Sequence, residues 1–204
     1  LSMAKIGIAD SLTESSVASI TFLFNHILLS YIGNDGIVIY TVIMYVYQLV
    51  LMTMLGLNQG MQPLVSYYYG KKEPKSYQYI LKIAFISAGI ASIASFLLAI
   101  LFPSPIVAMF ISRDHLELFT HATYAFKLFA FSFLPLGFVI ILYGYFTATQ
   151  SINTAIIISI SRGLIFVLLS LMIMPRLFGE TGIWLALLLS ESLSLLLALS
   201  IYKK

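Results

Sequence analysis

The 204-residue chain is 60% hydrophobic and only 9% charged, whereas a soluble domain carries about 25% charged residues to cover its surface. Its solvent is therefore expected to be largely lipid, and a net charge of +3 without aromatics interleaved among the basic residues argues against nucleic acid. With no cysteine, disulfide frameworks, zinc–thiolate sites and cysteine nucleophiles are excluded.

Apolar stretches long enough to cross a bilayer lie near residues 14–32, 37–62, 76–102, 121–147, 152–174 and 182–202, so the expected fold is all-α, a single polytopic six-helix membrane bundle over 1–204. The first is too long for a signal-peptide core and no small-residue cleavage site follows it. Because the chain opens at Leu1 without an initiating Met, a fragment or half-length protein is one expectation. No span alternates with period two, which argues against a membrane β-barrel.

In the first span Glu14, Ala18, Thr21 and Asn25 share one helical face, polar and small, that is expected to point into the bundle or a wet cavity. Glu14 reads equally as a solvated carboxylate at the helix start. The stretch Gly33-Asn34-Asp35-Gly36 predicts a tight polar turn. In the second span Gln48, Gln59 and Gln62 share a face with Asn58 beside it; the amides suit helix–helix contacts or a substrate cavity, and for Gln48 alone structural bonding is the simpler reading. This span is expected to end in the knuckle Gln62-Pro63-Leu64 to Tyr69-Gly70 against the basic loop Lys71 to Lys75. The third span stacks Ser87, Ala91 and Ser95, and also Ala88 and Ser92, at four-residue spacing, which predicts close helix contacts in lipid. Pro103 and Pro105 open an outer connection in which Ile106, Val107, Met109 and Phe110 form a short interfacial helix or an ordinary loop. Pro63 and Pro135 are the candidate kink or gating positions, Pro135 lying mid-span in the fourth helix with Gly137 behind it.

The last two spans carry the sharpest pair. Arg162 and Glu191 each fall roughly 15 Å into the membrane at about 1.5 Å per residue. Adjacent antiparallel helices would join them as an ion pair or a charged cavity lining. A boundary shift of a few residues would instead let Arg162 snorkel out and leave Glu191 alone.

The positive-inside rule places both termini in the cytoplasm, with Lys5, Lys71, Lys72, Lys75, Lys82, Lys203 and Lys204 on that side. Arg113, Lys127 and Arg176 then belong to the outer face. Enzyme signals are lacking: no HExxH, nucleophile elbow or phosphate-binding glycine loop is present. His26 reads as a packed side chain. The set His115, His121, Asp114 and Glu117 reads as loop polarity far more readily than as a metal site.

The stretch GLNQGMQPLVSYYYGKK resembles the signature that ends the second or eighth helix of multidrug and toxic compound extrusion (MATE) transporters, through Gly56, Gln59, Gly60, Gln62, Pro63, Leu64, Tyr69 and Gly70. Tyr68 and Lys71 stand where that pattern has Asn and Ala. The first span resembles the opening helix of the second half of such proteins, with Glu14 and Asn25 in place, although Asp10 stands near a position often held by Pro. The last two spans are similar through Arg162, Gly163, Pro175, Gly182, Trp184 and Glu191, and PSPIVAMFISRD resembles the outer interfacial segment. The resemblance implies one lobe of a two-lobe transporter, the carboxy-terminal one, whose partner is a missing amino-terminal six-helix lobe. It further implies a bacterial-type inner-membrane antiporter, driven by Na+ or H+ and without cofactor, that exports small organic substrates. The acid many members use for coupling lies in the missing lobe, and the fourth span here has no Asp or Glu. The implied pathway residues are Glu14, Asn25, Gln48, Gln59, Gln62, Tyr67, Arg162 and Glu191. Met44, Tyr45, Met52, Met54 and Tyr67 suit either a plastic cavity or plain lipid contact. A lipid-linked oligosaccharide flippase of the same superfamily is the alternative transport reading, and a non-transporting scaffold or degenerate half-gene product the alternative outside transport.

Overall fold

The computed structural model describes residues 21–203. Glu14, Ala18, Asp10, Lys5 and Lys204, and with them part of the first expected span, lie outside the described residues. Every regular element among the described residues is helical. The helices are α1 (helical over 21–31), α2 (Asn34–Gly70), α3 (Pro74–Leu101), α4 (Pro103–Ala108), α5 (Leu116–Ala130), α6 (Phe133–Ala148), α7 (Ile152–Ile160), α8 (Phe166–Phe178) and α9 (Glu180–Tyr202), with a π-helical turn, Ser161–Ile165, joining α7 to α8. Four stretches are each long and apolar enough to cross a bilayer: α2, α3, Ile152–Phe178 and α9. The bent pair α5–α6 makes a fifth.

Two expected boundaries are corrected. The Gly33–Gly36 stretch is no separate turn: Ile32 and Gly33, the latter at φ 87°, form the link and α2 begins at Asn34. Nor does α2 stop near residue 62; it runs through Pro63 and ends at Gly70, the last residue of the expected knuckle, against Lys71, 37 residues in all. Proline removes only its own N–H bond to the carbonyl four residues back, and Pro63 lies on an exposed side of α2 with the helix continuing on either side of it.

The fourth span is broken rather than straight. α5 and α6 meet at 42° across Phe131 and Ser132. Pro135 lacks the N–H that would bond the Phe131 carbonyl, and its ring crowds that carbonyl. The chain substitutes shorter-range bonds there, Ser132 N–H to the Phe129 carbonyl at 2.9 Å and Leu134 N–H to the Phe131 carbonyl at 3.3 Å.

On α3 packing follows side-chain size more than hydrophobicity. Beside Leu81, α3 buries Ala84, Ala88, Ser92 and Ala99 and turns Ile83, Ile86, Ile90, Ile93, Leu97 and Leu101 outward. In water that arrangement would be inverted, but in lipid large apolar residues are already solvated and small ones let backbones approach. α6 is apolar on every side and sits at the centre, touching α2, α3, α7 and α9. α6 approaches α2 most closely at Gly144, where a methyl group would overlap Asn58 Oδ1. Two turns earlier, at Gly137, it would lie 2.7 Å from Ser92 Oγ of α3 and 2.9 Å from Met54 Sδ of α2, so the two glycines let α2, α3 and α6 come together. Of the two expected small-residue rows on α3, the one through Ala88 and Ser92 is therefore the one in the core. α8 and α9 form an antiparallel hairpin that packs on α5 and α6 through α9.

In the connection from α3 to α5 the short helix stops at Ala108; Val107 is buried, while Met109 and Phe110 are exposed.

Candidate functional site

A cavity of about 160 Å³ opens where α1, α2, α5, α9 and the π-helical turn converge. From α2 it receives Tyr40, Met44, Tyr47, Gln48 and Leu51, spaced at i, i+4, i+7, i+8 and i+11 and hence on one helical face. Thr21 and Phe24 come from α1, Phe129 from the end of α5, Val167 from α8, and Leu187 and Glu191 from α9.

Arg162 and Gly163 enter through the π turn. In that turn Phe166 N–H bonds the Ser161 carbonyl, five residues back rather than four, so one extra residue is accommodated in the helix.

The structure brings Arg162 and Glu191 together. Arg162 Nε donates to Glu191 Oε2 at 3.0 Å and Oε1 at 3.1 Å, and Nη2 lies 3.0 Å from Oε1. Nη2 also donates to the Tyr47 hydroxyl at 3.4 Å. The Glu191 side chain is only 2% exposed and that of Arg162 25%, so the carboxylate is sealed and the guanidinium borders the cavity. A bidentate pair of this kind offsets the cost of burying both charges, which neither would survive alone. Tyr47 in turn meets Phe129 edge-on at 5.8 Å, and Phe24 stacks on Tyr40 at 4.9 Å. The cavity is thus a neutralised charge pair inside an aromatic and aliphatic wall.

Asn25 and Gln48 border an adjoining open groove of about 340 Å³ that shares Thr21, Tyr40, Met44 and Gln48 with the cavity. The Asn25 amide oxygen is buried there without a hydrogen-bond partner. Gln59, Gln62 and Tyr67 do not join this site. Gln59 and Tyr67 are exposed farther along α2, Gln62 is half-buried, and the Lys71 ammonium sits over the Tyr67 ring at 4.5 Å. The buried amide on α2 is Asn58, packed at the site of Gly144. Met54 is fully buried core, Tyr45 stacks on Phe110 at 5.9 Å, and Met44 alone of the expected plastic residues lines the cavity. Tyr40, Tyr47, Phe24 and Phe129 were not singled out by sequence reasoning. The Tyr40–Met44–Tyr47–Leu51 spacing was a signal available for two of them.

At the opposite end of α5, His121 hydrogen-bonds Glu180, whose Oε1 also accepts the Trp184 indole N–H at 3.1 Å. Asp114 is bonded instead to Ser112 at 2.8 Å. The loop residues expected as a polar cluster are thus divided between separate partners, and no group of three or more metal-ligating side chains occurs among the described residues.

The MatE family model matches residues 11–172. Curated relatives include the multidrug export protein MepA of Staphylococcus aureus, 29% identical over 198 residues in strain MSSA476 and 27% over 197 residues in strain RF122/ET3-1. Each match covers 97% of this chain and 43% of the relative, so the chain spans less than half the length of those proteins. Among solved structures, a MOP superfamily transporter from Pyrococcus furiosus superposes with a TM-score of 0.85 at 16% identity, over 98% of this chain and 45% of the other. The outward-facing conformation of a multidrug resistance MATE family transporter superposes at 0.84 with 18% identity and the same coverage. At these identities the superpositions speak to the fold, which is that of one lobe.

Proposed function

Since the chain belongs to the MatE family, we propose that it forms one six-helix lobe of a secondary antiporter that exports drugs or toxic organic compounds. A cation gradient, Na+ or H+, drives the exchange, and this lobe rocks against an amino-terminal lobe to give alternating access. The relatives it resembles are described as exporters and transporters rather than enzymes. The single observation that carries the reading is the Arg162–Glu191–Tyr47 constellation. It is a polar group set deep in an apolar span, bordering a cavity with aromatic walls, and ionisable groups at such depth are retained where a substrate or ion path needs them. The remaining pathway members are Asn25 and Gln48, on the adjoining groove. Glu14, Gln59, Gln62 and Tyr67 are assigned to the pathway by the family resemblance alone, the last three at a distance from this cavity along α2. The neutralised pair weighs against a flippase for phosphate-linked sugars, which calls for a strongly basic cavity.

The protein resides in a bacterial inner membrane with the Lys71–Lys75 loop in the cytoplasm. Expression of the complete gene is expected to lower accumulation of amphipathic organic cations, and abolishing the Na+ and proton gradients is expected to restore it. Arg162→Glu and Glu191→Arg should each lose export, and the double variant should regain part of it. Unchanged accumulation with the wild-type gene would overturn the proposal; a double variant no better than the singles would remove the pair from the pathway.

A further inference from the structure

Two of the long helices end alike. At the end of α2, Lys72 N–H bonds the Tyr69 carbonyl and Glu73 N–H bonds that of Tyr68, both at 3.0 Å. At the end of α6, Gln150 N–H bonds the Thr147 carbonyl at 3.2 Å and Ser151 N–H that of Phe146 at 2.9 Å. Both are Schellman caps, whose left-handed position ordinarily goes to glycine because a Cβ is disfavoured there. Here it goes to Lys72 at φ 56° and Gln150 at φ 59°, the two non-glycine residues of positive φ among the described residues. Both line one open cleft of about 460 Å³, with Tyr69, Gly70, Pro74 and Tyr77. Two independent helix ends therefore bear the same backbone cost, and each thereby brings a side chain that carries hydrogen-bond donors to the lining of the same cleft.

The cleft's surroundings define what it takes. Tyr69, Tyr77, Tyr145 and Tyr202 form a ladder across α2, α3, α6 and α9, with successive ring centroids 5.7, 6.4 and 5.6 Å apart. Lys71 precedes the cleft in the chain and Lys203 follows Tyr202. Glu73, the acid of this loop, accepts from Ser76 Oγ at 3.1 Å and is not among the lining residues. Donors without a facing acid call for an anion. Below the cleft α3 turns Tyr79, Ile83 and Ile86 outward, which suits acyl chains, and tyrosine and lysine together mark the headgroup layer.

We propose that this cleft binds the phosphate headgroup of an anionic phospholipid, with Lys72 and Gln150 as its donors and Tyr69 and Tyr77, backed by the rest of the ladder, as its wall. The inference rests on the membrane-spanning reading but not on transport. It is tested on the product of the complete gene, purified in detergent and titrated with phosphatidylglycerol, phosphatidylcholine or inorganic phosphate under native mass spectrometry. Phosphatidylglycerol should be retained in preference to phosphatidylcholine, and inorganic phosphate should not match it. Lys72→Gln should weaken retention about fivefold, the equivalent of one interfacial lysine, whereas Lys72→Arg should keep it. Lys72→Gly should lose retention to the same degree while its melting temperature holds or rises, because glycine relieves the left-handed position. Equal retention of the two lipids, phosphate binding as tight as the lipid's, or full retention by Lys72→Gln and Lys72→Gly would each overturn the proposal. Export is not part of these readouts, so failure of the transport reading and failure of the lipid site are told apart.

Discussion

Removing the Glu191 carboxylate would strand the Arg162 guanidinium against an apolar wall. Breaking a buried pair by deleting one partner costs about 3–5 kcal/mol. The partial exposure of Arg162 to the cavity places Glu191→Gln toward the lower end. Tyr47→Phe removes only one long hydrogen bond and should cost about 1 kcal/mol. Thermal unfolding in detergent checks the ranking, and equal shifts for the two variants would mean that the pair contributes no more than the phenol. This asymmetry also explains what was legible at the residue scale. A charge in an apolar run stands out because its burial is costly, so Arg162 and Glu191 were visible in the sequence. Tyr47, Phe24 and Phe129 were not, because a chain with 13 tyrosines and 15 phenylalanines gives no reason to prefer these.

The helices were legible by length and hydropathy, their irregularities unevenly so. Pro135 marks the bend between α5 and α6 through a local steric rule that can be read from sequence. Pro63, the other candidate kink, lies inside α2, which continues past it to Gly70. The π turn was not legible: Ser161–Ile165 holds one helix-weakening residue, Gly163, which does not distinguish a π turn from an ordinary helix, and the turn carries Arg162, which meets Glu191. A π turn is a helix with one residue inserted, so deleting Gly163 should restore a regular helix and keep α7 and α8 in register. The deletion variant is expected to retain its helical circular dichroism and membrane insertion while losing export. Loss of folding instead would show that the turn is needed for stability.

For the molecule as a whole, the absence of cysteine makes sidedness directly measurable. Single cysteines introduced as Lys72→Cys and His115→Cys, both at exposed positions, should label with an impermeant maleimide in opposite ways: position 115 in intact cells and position 72 only after the membrane is opened. Reversed labelling would invert the orientation derived from the lysine distribution. The bundle was foreseeable because composition names the solvent and breakers delimit the spans. Its arrangement was not, since which small-residue row of α3 meets α6 is decided by Gly137 and Met54 jointly.

That meeting point has a geometric consequence. α2 is one unbroken rod of 37 residues, and Met54 divides it into arms of about 30 and 24 Å at the rise of an α-helix. The side chains missing from Gly137 and Gly144 thus seat the longest helix near its middle, and its two arms reach unequally beyond the contact.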